Sequence, residues 1–164
     1  MTAAMAVRAA LPGDAARILR LWHRGWHDAH AALVPPAVLA WRDPEHFRIW
    51  RAAAAGPTWV AADPRILGMV AVTGDELSRL FVDRAARGTG VAGALLARAE
   101  DALRAGGTAR AHLFCTAGND RARRFYLRRG WRIAATFDSP LWVPPGIDLG
   151  LAVPTHRMTT TLLP

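Results

Sequence analysis

Lysine is missing from this 164-residue chain: all 21 basic side chains are Arg, set against 13 Asp and Glu for a formal net charge of +8. Without lysine there is no Walker phosphate loop, which requires Gly-Lys-Ser/Thr. Glutamine is absent too, and there is one Asn (Asn119), one Tyr (Tyr126) and one Cys (Cys115), against 7 Trp. A single cysteine excludes an internal disulfide framework and makes a reducing cytoplasm the simplest setting. No apolar run approaches the ~20 residues of a membrane span, so no membrane association is expected. The Ala-rich start, Met1 to Ala10, meets Arg8 and then Asp14 before any signal-peptide core can form. Ala and Arg crowd the remainder, as in the coding bias of a GC-rich genome. The positive charge is therefore weak evidence for a nucleic-acid partner. A hydrophobic fraction of 52% and a charged fraction of 21% fit a globular chain, read as a single domain over 1–164.

Helices and strands alternate along the chain. Thr2 to Leu11 reads as a first strand, and Asp14 as the N-cap of a helix from Ala15 to about His27, with Ile18, Leu19, Leu21, Trp22 and Trp26 at helical spacing. Pro35-Pro36 ends that run. Asp43 and Pro44 open a second helix, which Gly56 stops. Thr58–Ala62, Ile66–Thr73 and Glu76–Val82 read as an antiparallel meander with tight turns between them. A polar, Arg-rich loop over 83–89 leads to a helix from Gly90 to Ala105, where Val91, Leu95, Ala99 and Leu103 recur every four residues. Strand Ala109–Thr116, helix Asp120–Arg129 and strand Trp131–Phe137 follow. A Pro/Gly-rich apolar segment covers Ser139–Val153, and Thr155–Leu162 is the last strand. Hairpins and crossovers together predict an α/β (α+β) domain with a mixed sheet.

The chemistry concentrates between Leu80 and Leu96. A strand ends, a loop turns, and Gly88, Gly90 and Gly93 open a helix. Glycine lets backbone approach a ligand closely. The first N–H groups of a helix are unpaired and sit at the positive end of its dipole, which suits a pyrophosphate. Arg87 and Thr89 add a cation and a hydroxyl. Gly88 to Gly93 satisfies G-x-G-x-x-G literally, but it follows a meander rather than the first strand of a βαβ unit. No acid follows within Ala105–Leu113, so a Rossmann dinucleotide site is not expected.

Arg87-x-x-Gly90-x-Ala92, after a strand ending Leu80-Phe81-Val82-Asp83, resembles the acetyl-CoA motif of the GCN5-related N-acetyltransferase (GNAT) family. A second block, Asn119-Asp120-Arg121-Ala122-Arg123-Arg124-Phe125-Tyr126-Leu127-Arg128-Arg129-Gly130-Trp131, resembles that family's N-x-x-A-x-x-F-Y-x-x-x-G-F segment. Both occur in the family's order, and the resemblance covers nearly the whole chain. It implies a GNAT fold, a strongly bent mixed sheet of six to seven strands flanked by about four helices, whose two central parallel strands splay around acetyl-CoA as co-substrate. By position, the backbone of Leu80, Phe81 and Val82 would pair with the pantetheine arm. The amides of Gly88, Thr89, Gly90, Val91, Ala92 and Gly93 would hold the pyrophosphate, with Arg87 beside them. Asn119 would touch the co-substrate. Tyr126 would protonate the departing thiolate, and Glu76 would take the proton of the attacking amine. An alternative position for the base, on the next strand, is Phe114 here. Arg84 replaces a usual Pro, and Ala92 a frequent Gly.

The implied reaction is acetyl transfer to a primary amine of a small molecule or peptide by direct attack. The alternative is a catalytically degenerate module of the same fold that binds CoA or nucleic acid. A homodimer is left open. His23, His27 and His30 share one helix face beside Asp28, but no Cys or His-Glu-x-x-His pattern accompanies them, and no metal is expected. Trp22, Trp26, His27, His30, Trp41 and Trp50 lie where the acceptor pocket of such enzymes is walled. Leu141, Trp142, Val143, Ile147 and Leu149 are expected near its rim, and their apolar character favours a small amine or amino-acid-like acceptor. Arg121, Arg123, Arg124, Arg128 and Arg129 read as a solvated basic face with one side chain available to the CoA 3′-phosphate. Cys115 reads as a small buried apolar residue.

Overall fold

The computed structural model describes residues 5–163. It contains seven strands: β1 (Ala6–Ala9), β2 (Thr58–Asp63), β3 (Arg65–Thr73), β4 (Glu76–Val82), β5 (Arg110–Thr116), β6 (Arg132–Pro140) and β7 (Ala152–Thr161). Four α-helices accompany them: α1 (Ala15–His30), α2 (Pro44–Ala53), α3 (Val91–Ala105) and α4 (Asp120–Arg128). The strands form one sheet in the order β1-β2-β3-β4-β5-β7-β6. Every neighbouring pair is antiparallel except β4 and β5. Those two are parallel and meet at a single register pair, Glu76 with His112, so they diverge from that point toward their C-terminal ends. No helix among the described residues is long and apolar enough to cross a membrane.

Local sequence explains most of the elements. Asp43 caps α2 by accepting from the His46 N–H (2.9 Å), with Pro44 at the first helical position. The four-residue spacing in α3 places Val91, Leu95, Ala99 and Leu103 wholly inside, against β2, β3 and β4. A buried Leu in that row contributes about 1.5–3 kcal/mol through the area it removes from water. Aromatic residues of α1 and α2 (Trp22, Trp26, Phe47) form a separate cluster on the opposite face of the sheet.

Four expectations need correction. Asp14 does not cap α1 through its side chain. It accepts from Arg8 (2.7 and 3.2 Å) and from the Leu11 N–H (2.8 Å), because a 3₁₀ turn over Pro12–Asp14 precedes the helix. Helix α1 runs one turn further than His27, and a second 3₁₀ turn, Pro36–Trp41, absorbs the double proline. The first strand is shorter than Thr2–Leu11, and the Thr2–Ala4 part of that expectation lies outside the described residues. Strands β6 and β7 reach into the Pro/Gly-rich segment at both ends, leaving an irregular excursion only between 141 and 151. The Leu141 N–H donates to the Leu151 carbonyl (3.0 Å) at its base.

Along β4 the pairing with β3 slips by one residue between Ala71 and Val72, which makes Ser78 the extra residue of a bulge. The slip lets Leu77, Leu80 and Val82 share the α3 face, where strict alternation would split them. It turns Arg79 and Phe81 toward α1.

Candidate active site

A cleft of about 1010 Å³ opens where β4 and β5 part. One arm runs between the loop 87–93 and α4. The other lies under α1, α2 and the 141–151 excursion. The cleft brings together Glu76, Leu80, Phe81, Val82, Arg87, Gly88, Gly90, Ala92, Gly93, Asn119 and Tyr126, from three separate parts of the chain. Two expected residues do not line it. The Thr89 hydroxyl donates to the Ala86 carbonyl (2.6 Å) and bends the loop rather than facing a ligand. The Val91 side chain is in the core, so only its main chain can serve the site.

The glycine turn has a definite shape. Gly90, the N-cap of α3, has φ +91°, and Gly88 has φ +77°. Side chains other than Gly strain there. The first helical bond of α3 runs from the Ala94 N–H to the Gly90 carbonyl (3.1 Å), so the N–H groups ahead of it have no partner inside the helix. At Gly93 the reason for glycine differs. A Cβ there would lie 2.5 Å from Arg129 Nη2, because the guanidinium rests on the first turn of α3 with its other side toward the Phe125 ring (5.3 Å). Arg129 has no acidic partner among the described residues. A cation parked at the positive end of a helix dipole repels it, and an anion bound beside both relieves the repulsion.

Arg87 is held from behind. Asp28 of α1 accepts from Arg87 Nη2 (3.1 Å) and Arg84 Nη2 (2.9 Å), tying α1 to the loop. The residue that replaces the usual Pro thus has its own anchor. Asn119 caps α4 by accepting from the Ala122 N–H (3.3 Å), which leaves its amide NH₂ for the cleft.

Tyr126 is buried against Trp131 (ring centroids 5.9 Å) and Phe125 (5.2 Å), beside Cys115. Burial raises its pKa well above the ordinary phenol value, with a smaller push from Cys115, so it stays protonated. Its hydroxyl has no protein hydrogen-bond partner among the described residues. Cys115 is itself buried, and its pKa is pushed up to about 11; the thiol behaves as a small apolar group. Glu76 starts β4. Burial raises its pKa, against the opposing pull of His112, whose Nε2 lies 3.9 Å from Glu76 Oε2, and of Arg79. It is the one Asp or Glu among the residues lining the cleft.

The arm expected to wall an acceptor differs partly from expectation. Trp22, Trp26, His30 and Trp50 line it, whereas His27 and Trp41 do not. Leu141 and Trp142 reach it from the excursion, Val143 packs beneath, and Ile147 and Leu149 stay exposed. The histidines are structural: His23 and His27 each donate through Nε2 to the Arg42 carbonyl (3.1 and 2.7 Å). His30 donates through Nδ1 to the Trp26 carbonyl (3.2 Å), and burial lowers its pKa to about 4, keeping it neutral. Among the described residues no group of three or more His, Cys, Asp or Glu is placed to hold a metal. Of the arginines in α4 and at its C-cap, Arg121, Arg128 and Arg129 face the cleft, while Arg123 pairs with Asp120 (3.0 Å). Arg42, which also lines the cleft, carries no sequence signal. It is one Arg of 21, preceding an Asp that pairs with His46 instead (2.8 Å).

Residues 18–131 match the model of the acetyltransferase (GNAT) family. The fold is shared with a GCN5-related N-acetyltransferase from Rhodopseudomonas palustris, with TM-score 0.76 and 18% identity over 98% of each chain. It is shared with the PaiA N-acetyltransferase of Thermoplasma acidophilum, solved in complex with coenzyme A (TM-score 0.69, 15% identity, 97% of this chain and 99% of that one). The YncA protein of Salmonella typhimurium, solved with its cofactor acetyl-CoA, matches with TM-score 0.67 and 19% identity over 98% of this chain and 95% of that one. At these identities the likeness is one of fold. A comparison with curated proteins finds no match.

Proposed function

The chain belongs to the acetyltransferase (GNAT) family, and from that premise we propose that it moves the acetyl group of acetyl-CoA to a primary amine of a small molecule or peptide by direct attack. The observation that carries this reading is the anion-binding corner at the start of α3. There, N–H groups with no partner inside the helix line the same arm of the cleft as the Arg129 guanidinium, which packs on Gly93 and has no acidic partner among the described residues. Arg87, steadied by Asp28, adds a second cation. Arg121 and Arg128 are available to the CoA 3′-phosphate. Past the point where β4 leaves β5, the main chain of Leu80–Val82 on the β5 side is open to an added extended segment, which suits the pantetheine arm.

In this reading the amine nitrogen bonds to the thioester carbon and the carbon–sulfur bond breaks. Glu76 takes the proton lost by the nitrogen, directly or through one water, and Tyr126 gives its hydroxyl proton to the departing sulfur. The same dry surroundings that raise the tyrosine pKa also disfavour a free thiolate, so the two pKa values move together. Tyr126 has no protein acceptor to compete for that proton. The continuous seven-stranded sheet supports one acetyltransferase domain. A lone buried thiol fits a reducing compartment, and the cytoplasm is the proposed setting.

The test is thiol release from acetyl-CoA with a panel of amines. Tyr126→Phe is expected to lower kcat by ~10²-fold or more, with the acetyl-CoA dissociation constant unchanged by calorimetry. Normal turnover in that variant would remove Tyr126 from the acid role. Failure of the wild type to bind acetyl-CoA would overturn the enzyme reading.

A further inference from the structure

Arg42 is 1% exposed, one of the most deeply buried side chains in the molecule, yet it faces no acid. Three indoles surround its guanidinium: Trp26 at 4.8 Å, Trp50 at 5.2 Å and Trp142 at 5.8 Å, centroid to Cζ. Trp50 and Trp142 stack on one another (4.9 Å, 5° between planes). Nη1 donates to the Trp41 carbonyl (3.0 Å), whereas Nε is sealed from solvent with no partner at all. Nη2 has none among the described residues. Cation–π contact offsets part of the desolvation of a buried guanidinium, but it does not satisfy N–H donors. Burial lowers the pKa to about 10, which leaves the group charged at neutral pH. The main chain is pinned at the same residue by two histidines, so the side chain is held rather than loosely stored.

The charges lining the cleft sharpen the point. Six arginines (Arg42, Arg79, Arg87, Arg121, Arg128 and Arg129) face one carboxylate, Glu76. Four of the six belong to the α3/α4 arm, where phosphates are expected. Arg79 lies over Trp22 (4.4 Å) and interacts with Glu76. Arg42 alone has neither a phosphate nor an acid assigned to it. An unpaired, aromatic-walled guanidinium at the end of a cleft matches a carboxylate attached to an apolar body.

We propose that the acceptor is an amino acid with an apolar or aromatic side chain, its carboxylate bound by Arg42, its body against Trp50 and Trp142, and its amine presented toward Glu76. This rests on the acetyltransferase reading and narrows it. Amines without a carboxylate would leave Arg42 unpaired in the closed complex, which is the situation that gives polar sites their sharpest discrimination. A polyamine would also meet two arginines in this arm.

The experiment compares pairs that differ only in the carboxylate: L-phenylalanine with phenethylamine, and L-tryptophan with tryptamine. In the wild type the amino acid is expected to exceed its amine in kcat/KM by roughly tenfold or more, and to bind more tightly in calorimetry with acetyl-CoA absent. In Arg42→Met the preference should collapse toward one. In Arg42→Lys, which keeps the charge but loses the planar fork, part of it should return. Acetyl-CoA binding is measured in every variant as the check on folding and on the co-substrate arm. Equal or better use of the amines by the wild type overturns the proposal, as does a preference that survives Arg42→Met. If acetyl-CoA is bound and amines are acetylated without that preference, the acetyltransferase reading stands and only the acceptor assignment falls. If acetyl-CoA is not bound, the wider reading falls, and the calorimetry with amino acid alone still decides whether Arg42 binds a carboxylate.

Discussion

On the α3/α4 side of the cleft the binding groups are main-chain N–H groups at a glycine turn, with arginines around them. On the α1/α2 side they are side chains alone: a tryptophan box, one arginine inside it, and one glutamate at its edge. The first side is an electrostatic socket for an anion of known shape, and a short stretch of chain suffices to build it. The second is a contoured room whose walls come from α1, α2, β4 and the 141–151 excursion, elements far apart in sequence. Only proline removes a backbone N–H group, so the α3/α4 arm, where the co-substrate is proposed to bind, tolerates other sequence change wherever its turn survives. The acceptor arm changes with each side chain. Under the proposed function, one domain can therefore keep a fixed donor and vary its acceptor.

Three changes test that contrast. The largest effect is expected at Glu76, the proposed base, which lines the α1/α2 side of the cleft. Glu76→Gln should lower kcat/KM by ~10²-fold near neutral pH, with acetyl-CoA affinity intact. Burial holds the Glu76 pKa above the ordinary carboxylate value, and only the ionised form accepts a proton. Activity in the wild type should therefore fall as pH drops through that raised value. The pH profile of the Gln variant should lose this limb and retain only the titration of the acceptor amine. An unchanged profile would assign the base elsewhere.

A smaller, opposite pattern is expected at Gly90. Its φ of +91° is closed to a β-branched residue, so Gly90→Val should destabilise the fold by about 1–3 kcal/mol. It should also weaken acetyl-CoA binding by roughly tenfold, equivalent to ~1.4 kcal/mol. No other atom lies within 4 Å of the new Cβ, so the loss would come from the turn and its ligand, not from a clash. Acceptor preference should not move. If the valine variant binds acetyl-CoA normally, the main-chain socket is not where the phosphates sit.

The smallest effect is expected at Asp14, which anchors the start of α1 outside the cleft. Hydrogen bonds from Arg8 and from the Leu11 N–H lower its pKa from 3.8 to about 2. A carboxylate with a depressed pKa contributes stability above its ordinary value and loses it as pH falls through the depressed one. Asp14→Asn should therefore lower Tm at neutral pH by an amount equivalent to about 1 kcal/mol or less. The difference from wild type should shrink between pH 3.8 and about 2. A difference independent of pH would mean that the ion pair with Arg8 carries none of it.

The legible parts of this protein are those in which neighbours in sequence act on one another. The cap of α2, the buried row of α3, the hairpin turns and the glycine turn after β4 all follow from local spacing and backbone geometry. The shape of the α3/α4 arm was readable for the same reason, since Arg87 to Gly93 and Asn119 to Tyr126 each lie within a single turn-and-helix unit. Asp14 and Thr89 were misread because a short polar side chain before a helix has several main-chain partners in reach. Local sequence does not rank those partners.

Composition and spacing by themselves determined the class of fold and excluded a lysine phosphate loop and a disulfide framework; the family resemblance singled out the lone Tyr and lone Asn, which the fold brings to one cleft. Tertiary structure alone decided which arginines are bound and which are left waiting. Whether an arginine is solvated, paired or enclosed depends on which distant side chains surround it. In a chain with 21 arginines and no lysine, that distinction separates Arg42 from the rest.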